Sequence, residues 1–209
     1  MGDAHQYYED YWGRPDPPPL HDPLALRRLE LVRRLLREAG ARRVLDAGAG
    51  AGDFVAALVE DGYETVGLEV SERAVALAEE RHPGSTLVRH SVEELPWPVE
   101  QGSFDAVVAL EVIEHLLRPR RLLDGAHAAL RPGGRVLLST PYHGLAKNLV
   151  LAAFRFDRHF AVEGDHIRFF SDAALRRLAG ETGFDVEKIV HLGRTWPLWA
   201  NSFVSLGRR

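Results

Sequence analysis

Apolar positions along the chain follow two spacings that alternate. Short apolar runs typical of buried strands are separated by segments whose apolar residues recur every three or four positions, as on one face of a helix. The runs predict strands at 43–47, 64–68, 86–89, 104–110 and 135–140. The helical spacing predicts helices at 24–39 and near 52–61, 72–81 and 120–130. This alternation predicts an α/β protein with a parallel sheet and helices on both faces.

The pattern changes after residue 140. Residues 141–165 read as a long insertion, and a helix near 172–182 and strands near 184–192 and 199–206 follow it. Five apolar residues of the insertion share the spacing of an amphipathic helix: Leu145, Leu149, Val150, Ala153 and Phe154. The segment Arg131–Gly134, Arg-Pro-Gly-Gly, predicts a turn before the fifth strand. We expect a single domain over 1–209, with an aromatic lid at 1–23 whose prolines form a stiff connector.

Composition narrows the class of protein. The 209 residues are 45% hydrophobic, which suits one well-packed domain. The net charge is −4, whereas domains that bind nucleic acid are normally strongly basic. Nucleic acid is therefore an unlikely main partner. The chain has no cysteine, so thiolate chemistry and disulfides are excluded. The sequence shows no signal peptide and no apolar run long enough to span a membrane. We therefore expect a cytoplasmic protein with at most peripheral membrane contact. It could form homo-oligomers.

A glycine turn follows the first strand, in the run Val44 to Phe54, with glycine at 48, 50 and 52. Alternate glycines let the backbone turn tightly against a ligand, at a helix N-terminus that attracts anions. A dinucleotide-binding turn, G-x-G-x-x-G, would need glycine at position 53, where the chain has Asp53. A carboxylate there would repel a pyrophosphate but would suit a cofactor with an ammonium and a sulfonium, and Asp46 points the same way.

This run resembles motif I of the class I S-adenosylmethionine (SAM) dependent methyltransferases, and the likeness covers most of residues 40–140. It is closest to the ubiquinone-biosynthesis O-methyltransferases. The resemblance implies SAM as the cofactor and a Rossmann-like seven-stranded sheet, mostly parallel with a C-terminal antiparallel hairpin. It identifies the predicted cofactor residues as Asp46, Gly48, Gly50, Gly52, Glu69, Val70, Ser91, Val92, Glu93 and Leu110.

Two of these segments carry specific expectations. Glu69 ends the second strand, where its carboxylate would accept both ribose hydroxyls; alternatively it caps the helix that starts near Ser71. By resemblance, Ser91 or Glu93 would bond the adenine amine and the Val92 amide a ring nitrogen. Alternatively, Ser91 forms a helix-capping box with Glu94.

The candidate catalytic residues are Glu111, Glu114 and His115, in the spacing Glu-x-x-Glu-His after the fourth strand. With His166 they resemble the four ligands of metal-dependent small-RNA 2′-O-methyltransferases, and a related set in the ubiquinone-pathway enzymes. Such a site would suit Mg²⁺, Mn²⁺ or Zn²⁺. The equal alternative is a metal-free site in which His115 is a general base and the acids hold loops in place.

Six residues are expected at the methyl acceptor: Tyr8, Trp12, Tyr142, His143, His166 and Arg168. Tyr8 and Trp12 would share a helix face in the aromatic head. The insertion is basic, with His143, Lys147, Arg155, Arg158 and His159. It would act as a lid, as an anion site or as a contact with a membrane surface, in that order of preference.

The function these features predict is SAM-dependent methylation of a small molecule, at a hydroxyl or an acidic oxygen such as a carboxylate or phosphonate. The alternatives are N-methylation of a small amine and metal-dependent RNA 2′-O-methylation. Two rivals come from other classes: an NAD-dependent oxidoreductase, which Asp53 disfavours, and a SAM-binding regulatory subunit.

Overall fold

The computed structural model describes residues 2–13, 23–154, 166–195 and 199–209. Most of the predicted connector, and Arg155, Arg158 and His159 of the insertion, lie outside this part of the chain. The helices are α1 (Gly2–Trp12), α2 (Pro23–Glu38), α3 (Asp53–Glu60), α4 (Glu72–Arg81), α5 (Pro119–Ala129), α6 (Leu145–Phe154) and α7 (Asp172–Glu181). The strands are β1 (Arg43–Ala47), β2 (Glu64–Glu69), β3 (Thr86–Arg89), β4 (Phe104–Leu110), β5 (Leu130–Pro141), β6 (Phe184–Thr195) and β7 (Trp199–Arg208).

These strands form one sheet in the order β3-β2-β1-β4-β5-β7-β6. Strands β1 to β5 pair in parallel, and β7 pairs antiparallel with both β5 and β6. The predicted mostly parallel sheet with a C-terminal antiparallel hairpin is confirmed. The chain order reverses between β1 and β4, and in open α/β sheets a ligand crevice forms outside the carboxyl ends of the strands at such a point.

Apolar side chains pack on both faces of this sheet. On one face Leu122 and Leu123 of α5 and Leu175 of α7 are buried, and on the other Val32 of α2 and Leu58 of α3. Each fully buried side chain of this kind contributes about 1.5–3 kcal/mol. The layers thus hold the strand ends rigidly and leave the chemistry to the loops above them.

One predicted turn has a different structure. Strand β5 begins at Leu130, which pairs with Phe104, and the next paired residue is Arg135, opposite Ala106. Residues 131–134 bulge out of the ladder between these pairs, because a strand can absorb extra residues as an irregularity without ending. Asp105 fills the gap and binds the Arg131 side chain at 2.5 Å.

Helix α6 forms as predicted. Three residues of its predicted apolar set, Leu145, Leu149 and Phe154, are exposed in the described structure, whereas Lys147 and Leu151 are buried. No helix in the described part of the chain combines the length and apolarity that crossing a membrane requires.

Candidate active site

A cavity of about 460 Å³ opens at the carboxyl ends of β1, β2 and β4. This volume suits a small-molecule ligand. Eight of the ten predicted cofactor residues line it: Gly48, Gly50, Glu69, Val70, Ser91, Val92, Glu93 and Leu110. Asp46 and Gly52 lie outside the lining.

Backbone geometry explains the glycine turn. Gly48, Gly50 and Gly52 all have positive φ values, of 93°, 54° and 78°, which favour glycine. A Cβ atom on Gly48 would lie 2.5 Å from Val112, and one on Gly50 would lie 2.8 Å from the Trp12 ring. The turn is thus packed from both sides of the cavity.

Gly52 lies behind the cavity lining. It precedes the first residue of α3, and a Cβ there would lie 2.9 Å from the Cβ of Ala78 in α4. The side chain of its neighbour Asp53 lies 3.0 Å from the His82 ring nitrogen Nε2. Both residues therefore fix α3 against the segment around α4 and do not face the cavity.

Glu69 is a buried carboxylate that ties the glycine turn to β2. One of its oxygens accepts the Gly50 N–H at 2.8 Å, and the other accepts those of Val70 at 2.9 Å and Ser71 at 3.0 Å. Burial raises its pKa, against the effect of these three donors. The helix cap of α4 is Ser71, whose hydroxyl accepts the Ala74 N–H, so the capping alternative for Glu69 is not what forms. Its carboxylate faces the cavity with unused lone pairs.

Asp46 is buried near the end of β1. Burial raises its pKa to about 7, and the negative charge of Glu69 adds to this. Two neighbouring acids in a dry setting favour a cation nearby, because a positive charge stabilises their ionised forms.

The predicted adenine segment forms turns, so no helix-capping box exists there. The Ser91 hydroxyl accepts the Glu93 N–H at 3.3 Å, and the Glu93 carboxylate accepts the backbone N–H of Arg118. The Trp97 indole donates to the Val92 carbonyl at 3.1 Å. These bonds hold the three predicted adenine-binding residues in the cavity wall.

Helix α1 forms a roof over the cavity, with Tyr7, Tyr8, Tyr11 and Trp12 in the lining. Glu9, on the same helix, ties this roof to the N-terminus of α4: its carboxylate accepts the N–H groups of Glu72 at 2.6 Å and Arg73 at 3.2 Å. Burial acts to raise the pKa of Glu9, but the effect of these two donors outweighs that of burial, so this pKa is lowered overall. The roof is held by an ionised side chain at a helix N-terminus, where a negative charge is favoured.

We expect Glu9→Ala to loosen this roof. Loss of a helix cap costs about 1 kcal/mol, which corresponds to roughly a fivefold faster release of a ligand held beneath the roof. Stopped-flow tryptophan fluorescence, recorded as S-adenosylhomocysteine (SAH) dissociates from beneath Trp12 of the roof, measures the rate. Asp10→Ala is the matched control, since among the described residues exposed Asp10 bonds only Gln6 of the same helix. Equal release rates for the two variants would show that Glu9 does not hold the roof in place.

Glu111 lies just after β4 with φ of 56°, the only positive value at a non-glycine residue in the described chain. Its carboxylate accepts from the Ser139 hydroxyl at 2.6 Å and from the Asn201 amide, and Arg28 lies 3.4 Å away. Strained backbone that persists at a cavity wall indicates a functional position. Strand β5, strand β7 and helix α2 thus fix the Glu111 carboxylate at the cavity wall.

Glu114, His115 and His166 form a compact group, in which one ligand atom from each lies within 4.8 Å of the others. The His115 and His166 rings are 4.8 Å apart, and His115 lines the cavity. Glu111 lies outside this group. The structure therefore assembles three of the four predicted metal ligands.

Glu114 is the most unusual acid of this group. It is 1% exposed, and among the described residues neither carboxylate oxygen has a hydrogen bond of normal geometry. Burial raises its pKa to about 8, and the charge of Glu111 adds to the effect. Its backbone carbonyl accepts the N–H groups of Ile167 and Arg168, which brings the His166 segment to His115.

The remaining predicted acceptor residues lie outside the cavity lining. The Tyr142 ring packs on His191 at 4.9 Å, and His143 is buried against Phe169 at 4.8 Å. Arg168 donates to the backbone carbonyls of the loop after His115, at Leu116 and Leu117. Their contacts here support the walls of the site.

Sequence reasoning missed three partners of Glu111, which are Arg28, Ser139 and Asn201. Arg28 is one arginine among several on α2, and its spacing does not distinguish it from its neighbours. Its Nε atom is buried without a hydrogen-bond partner in the described structure. Only the fold brings this cation to the cavity wall.

The fold and the position of the cavity define a class of protein: the Rossmann-like methyltransferase domains. Residues 23–189 match the family model described as a methyltransferase domain, and the chain belongs to this family.

Curated relatives agree with this assignment. A probable SAM-dependent methyltransferase of Mycolicibacterium smegmatis is 33% identical over 77% of this chain and 59% of its own length. A ubiquinone biosynthesis O-methyltransferase of Dechloromonas aromatica is 30% identical over 82% of this chain and 76% of its own. The chain thus spans little more than half the length of the first of these relatives.

Solved structures share the fold. The magnesium protoporphyrin IX methyltransferase of Synechocystis, with SAH bound, has a TM-score of 0.71 at 17% identity and covers 99% of this chain and 100% of its own. The N-methyltransferase NodS of Bradyrhizobium japonicum, also with SAH, has a TM-score of 0.73 at 18% identity, with 98% of both chains covered.

Proposed function

We propose that this enzyme methylates an oxygen of a small molecule. The observation that carries the proposal is the position of His115, which lies in the cavity wall beside Glu114 and His166 and within 6.3 Å of the Tyr8 ring. An imidazole so placed can take the proton of a hydroxyl. The relatives named as O-methyltransferases support the same choice of atom.

The lining residues would hold the cofactor in one direction. Ser91 and Glu93 would bind its adenine, Glu69 its ribose, and the turn at Gly48 and Gly50 would face its methionine part. The cofactor has one anionic group, the methionine carboxylate. Arg28, whose guanidinium lies 3.4 Å from the Glu111 carboxylate in the cavity lining, is the cation we would assign to that group.

The residues present also fit a divalent metal ion. The buried Glu114 carboxylate has no hydrogen bond of normal geometry among the described residues, so it needs a cation or a proton, and two imidazoles adjoin it. Glu114, His115 and His166 would hold the ion, which would supply Lewis acidity to an acceptor oxygen. Glu111, engaged by Ser139 and Asn201, keeps the wall in place.

The protein's own groups then perform the rest of the reaction. The tyrosines of α1 exclude water from the sulfonium, and the acids on the cofactor side favour its positive charge. The acceptor's oxygen attacks the methyl group in line as the carbon–sulfur bond breaks. Because both charges diminish in the transition state, a site shielded from water favours the step.

An acceptor screen tests the proposal. Phenols, sugars, hydroxy acids and amines of similar size are incubated with methyl-labelled SAM, with Mn²⁺ and with a chelator. We expect label on oxygen acceptors; label confined to amines would replace this proposal with N-methylation, and label only on RNA would replace it with RNA methylation. Activity unchanged by chelation would refute the metal and leave His115 as the base.

A pH dependence follows from Glu114. The pKa of about 8 in the folded chain exceeds the ordinary 4.5, so between these values the metal-free folded chain holds a proton that the unfolded chain has lost. Its stability therefore falls as the pH rises toward 8, while Mn²⁺, which replaces the proton, binds more tightly.

Thermal melts from pH 6 to 9 test this dependence. We expect the difference in Tm between protein with Mn²⁺ and protein without it to increase with pH. Glu114→Gln should abolish the gap. A gap that is constant with pH in the unchanged protein would place the metal elsewhere.

A further inference from the structure

Helix α6 turns a charged residue inward and its leucines outward. Lys147 is 8% exposed and Leu151 4%, whereas Leu145 is 76% exposed and Leu149 61%. A helix that only covers a protein would do the reverse, because an ammonium loses its hydration when it is buried. A group inside the site that interacts with the Lys147 ammonium would explain why this side chain is buried.

The described residues around Lys147 compensate its positive charge only in part. Among the described residues its ammonium makes no ion pair or hydrogen bond, and Glu111 is the anion whose charge acts on it. Burial lowers the pKa of Lys147, and Glu111 opposes this. The Glu111 carboxylate is already engaged by Ser139 and Asn201. A second anion is needed to compensate the buried charge fully.

The topology places Lys147 on the acceptor side. Helix α6 follows β5 directly, and the Glu111 N–H donates to the Ser139 carbonyl of β5 at 3.0 Å. The glycine turn follows β1, which lies on the other side of β4 in the sheet. Lys147 thus approaches Glu111 from the side away from the cofactor's glycine turn.

We propose that Lys147 binds the methyl acceptor through an oxygen anion, so that the acceptor is a small molecule with a carboxylate or an ionised hydroxyl. The inference rests on the O-methyl transfer proposed above and adds the class of its substrate. A lone pair of that oxygen forms the new C–O bond as the C–S electron pair returns to sulfur. A sulfonium and an oxyanion become a thioether and an ester or ether. A carboxylate has no proton to lose, whereas a hydroxyl first gives its proton to His115.

The chain offers a direct reporter, because Lys147 and Lys188 are its only lysines and Lys188 is exposed. Protein labelled with [6-¹³C]lysine therefore gives two side-chain NMR signals, assigned by Lys147→Arg. The SAH complex, whose cofactor carboxylate site is filled, is titrated at mildly alkaline pH with benzoate, 4-nitrophenolate and neutral benzamide. The first probe tests a carboxylate and the second an ionised hydroxyl.

We expect a saturable shift of the Lys147 signal with at least one anion, none with benzamide, and no change at Lys188. Lys147→Met should weaken binding of that anion at least about tenfold with SAH affinity retained, and Lys147→Arg should restore part of it. No shift with either anion, or equal shifts with benzamide, would overturn the inference even if Lys147→Met fails to fold.

The two proposals fail separately. A shift at Lys147 in a protein that labels only amines would refute O-methylation and keep an anion site. Label on oxygen acceptors without any shift of the Lys147 signal would support O-methylation and refute the anion site.

Discussion

Glu69→Ala is expected to raise the Kd of SAH about 100-fold or more. The carboxylate would lose its bonds to the ribose, and hydrogen bonds to a charged group are worth about 1.5–3 kcal/mol each, so two of them exceed a factor of 100. The change also frees the N–H groups of Gly50, Val70 and Ser71, which hold the glycine turn in shape. Calorimetric titration with SAH measures the loss.

Glu72→Ala is the matched control for this variant. Glu72 lies three residues further along, and its exposed carboxylate contacts Arg89 at 2.6 Å. A surface ion pair contributes about 0–1 kcal/mol to stability, so SAH affinity should stay within about twofold. If the two alanine variants bind SAH equally well, Glu69 has only a structural role in this protein.

His115→Ala is expected to lower kcat about 10²–10⁴-fold, the usual contribution of a positioned acid–base group. SAH affinity should change little, because we expect the cofactor's main polar contacts at the glycine turn, at Glu69 and at the turn that contains Ser91. The same loss is expected whether His115 is a metal ligand or a general base. A second variant is therefore needed to separate the two roles.

His166→Ala makes that distinction. If Glu114, His115 and His166 hold a metal ion, His166→Ala should lose activity on a similar scale, and excess Mn²⁺ should restore part of it. A loss of less than about tenfold, unaffected by Mn²⁺, would assign the chemistry to His115 alone. His127→Ala serves as the control, since this ring packs on Phe184 away from the cavity.

The strands and helices could be predicted because their signals are local. The apolar runs of β1 and β4 and the glycine turn between β1 and α3 each fall within a few residues, and the structure has them at the predicted positions. The bulge at 131–134 could not be predicted, because Arg-Pro-Gly-Gly suits a turn equally well. What decides its structure is Asp105 on the neighbouring strand.

The site was predictable to the extent that its residues adjoin in sequence. Eight of the predicted cofactor residues lie at or soon after strand ends, so the fold class alone places them in the cavity lining. Arg28 and Asn201 reach Glu111 from distant segments, and no sequence spacing reports such an encounter. The inward face of α6 was missed for a related reason: periodicity shows that a helix has two faces, but the surrounding protein decides which one is buried.

The position of β7 between β5 and β6 bears on how the chain matures during synthesis. Strand β6 is made before β7, yet in the sheet it pairs only with β7. Until residues 199–208 emerge from the ribosome, β5 presents an open edge and β6 has no neighbour. Unpaired edges of this kind invite association with other chains. A nascent chain arrested before residue 199 should therefore be a substrate for chaperones, although every predicted cofactor residue has already been synthesised.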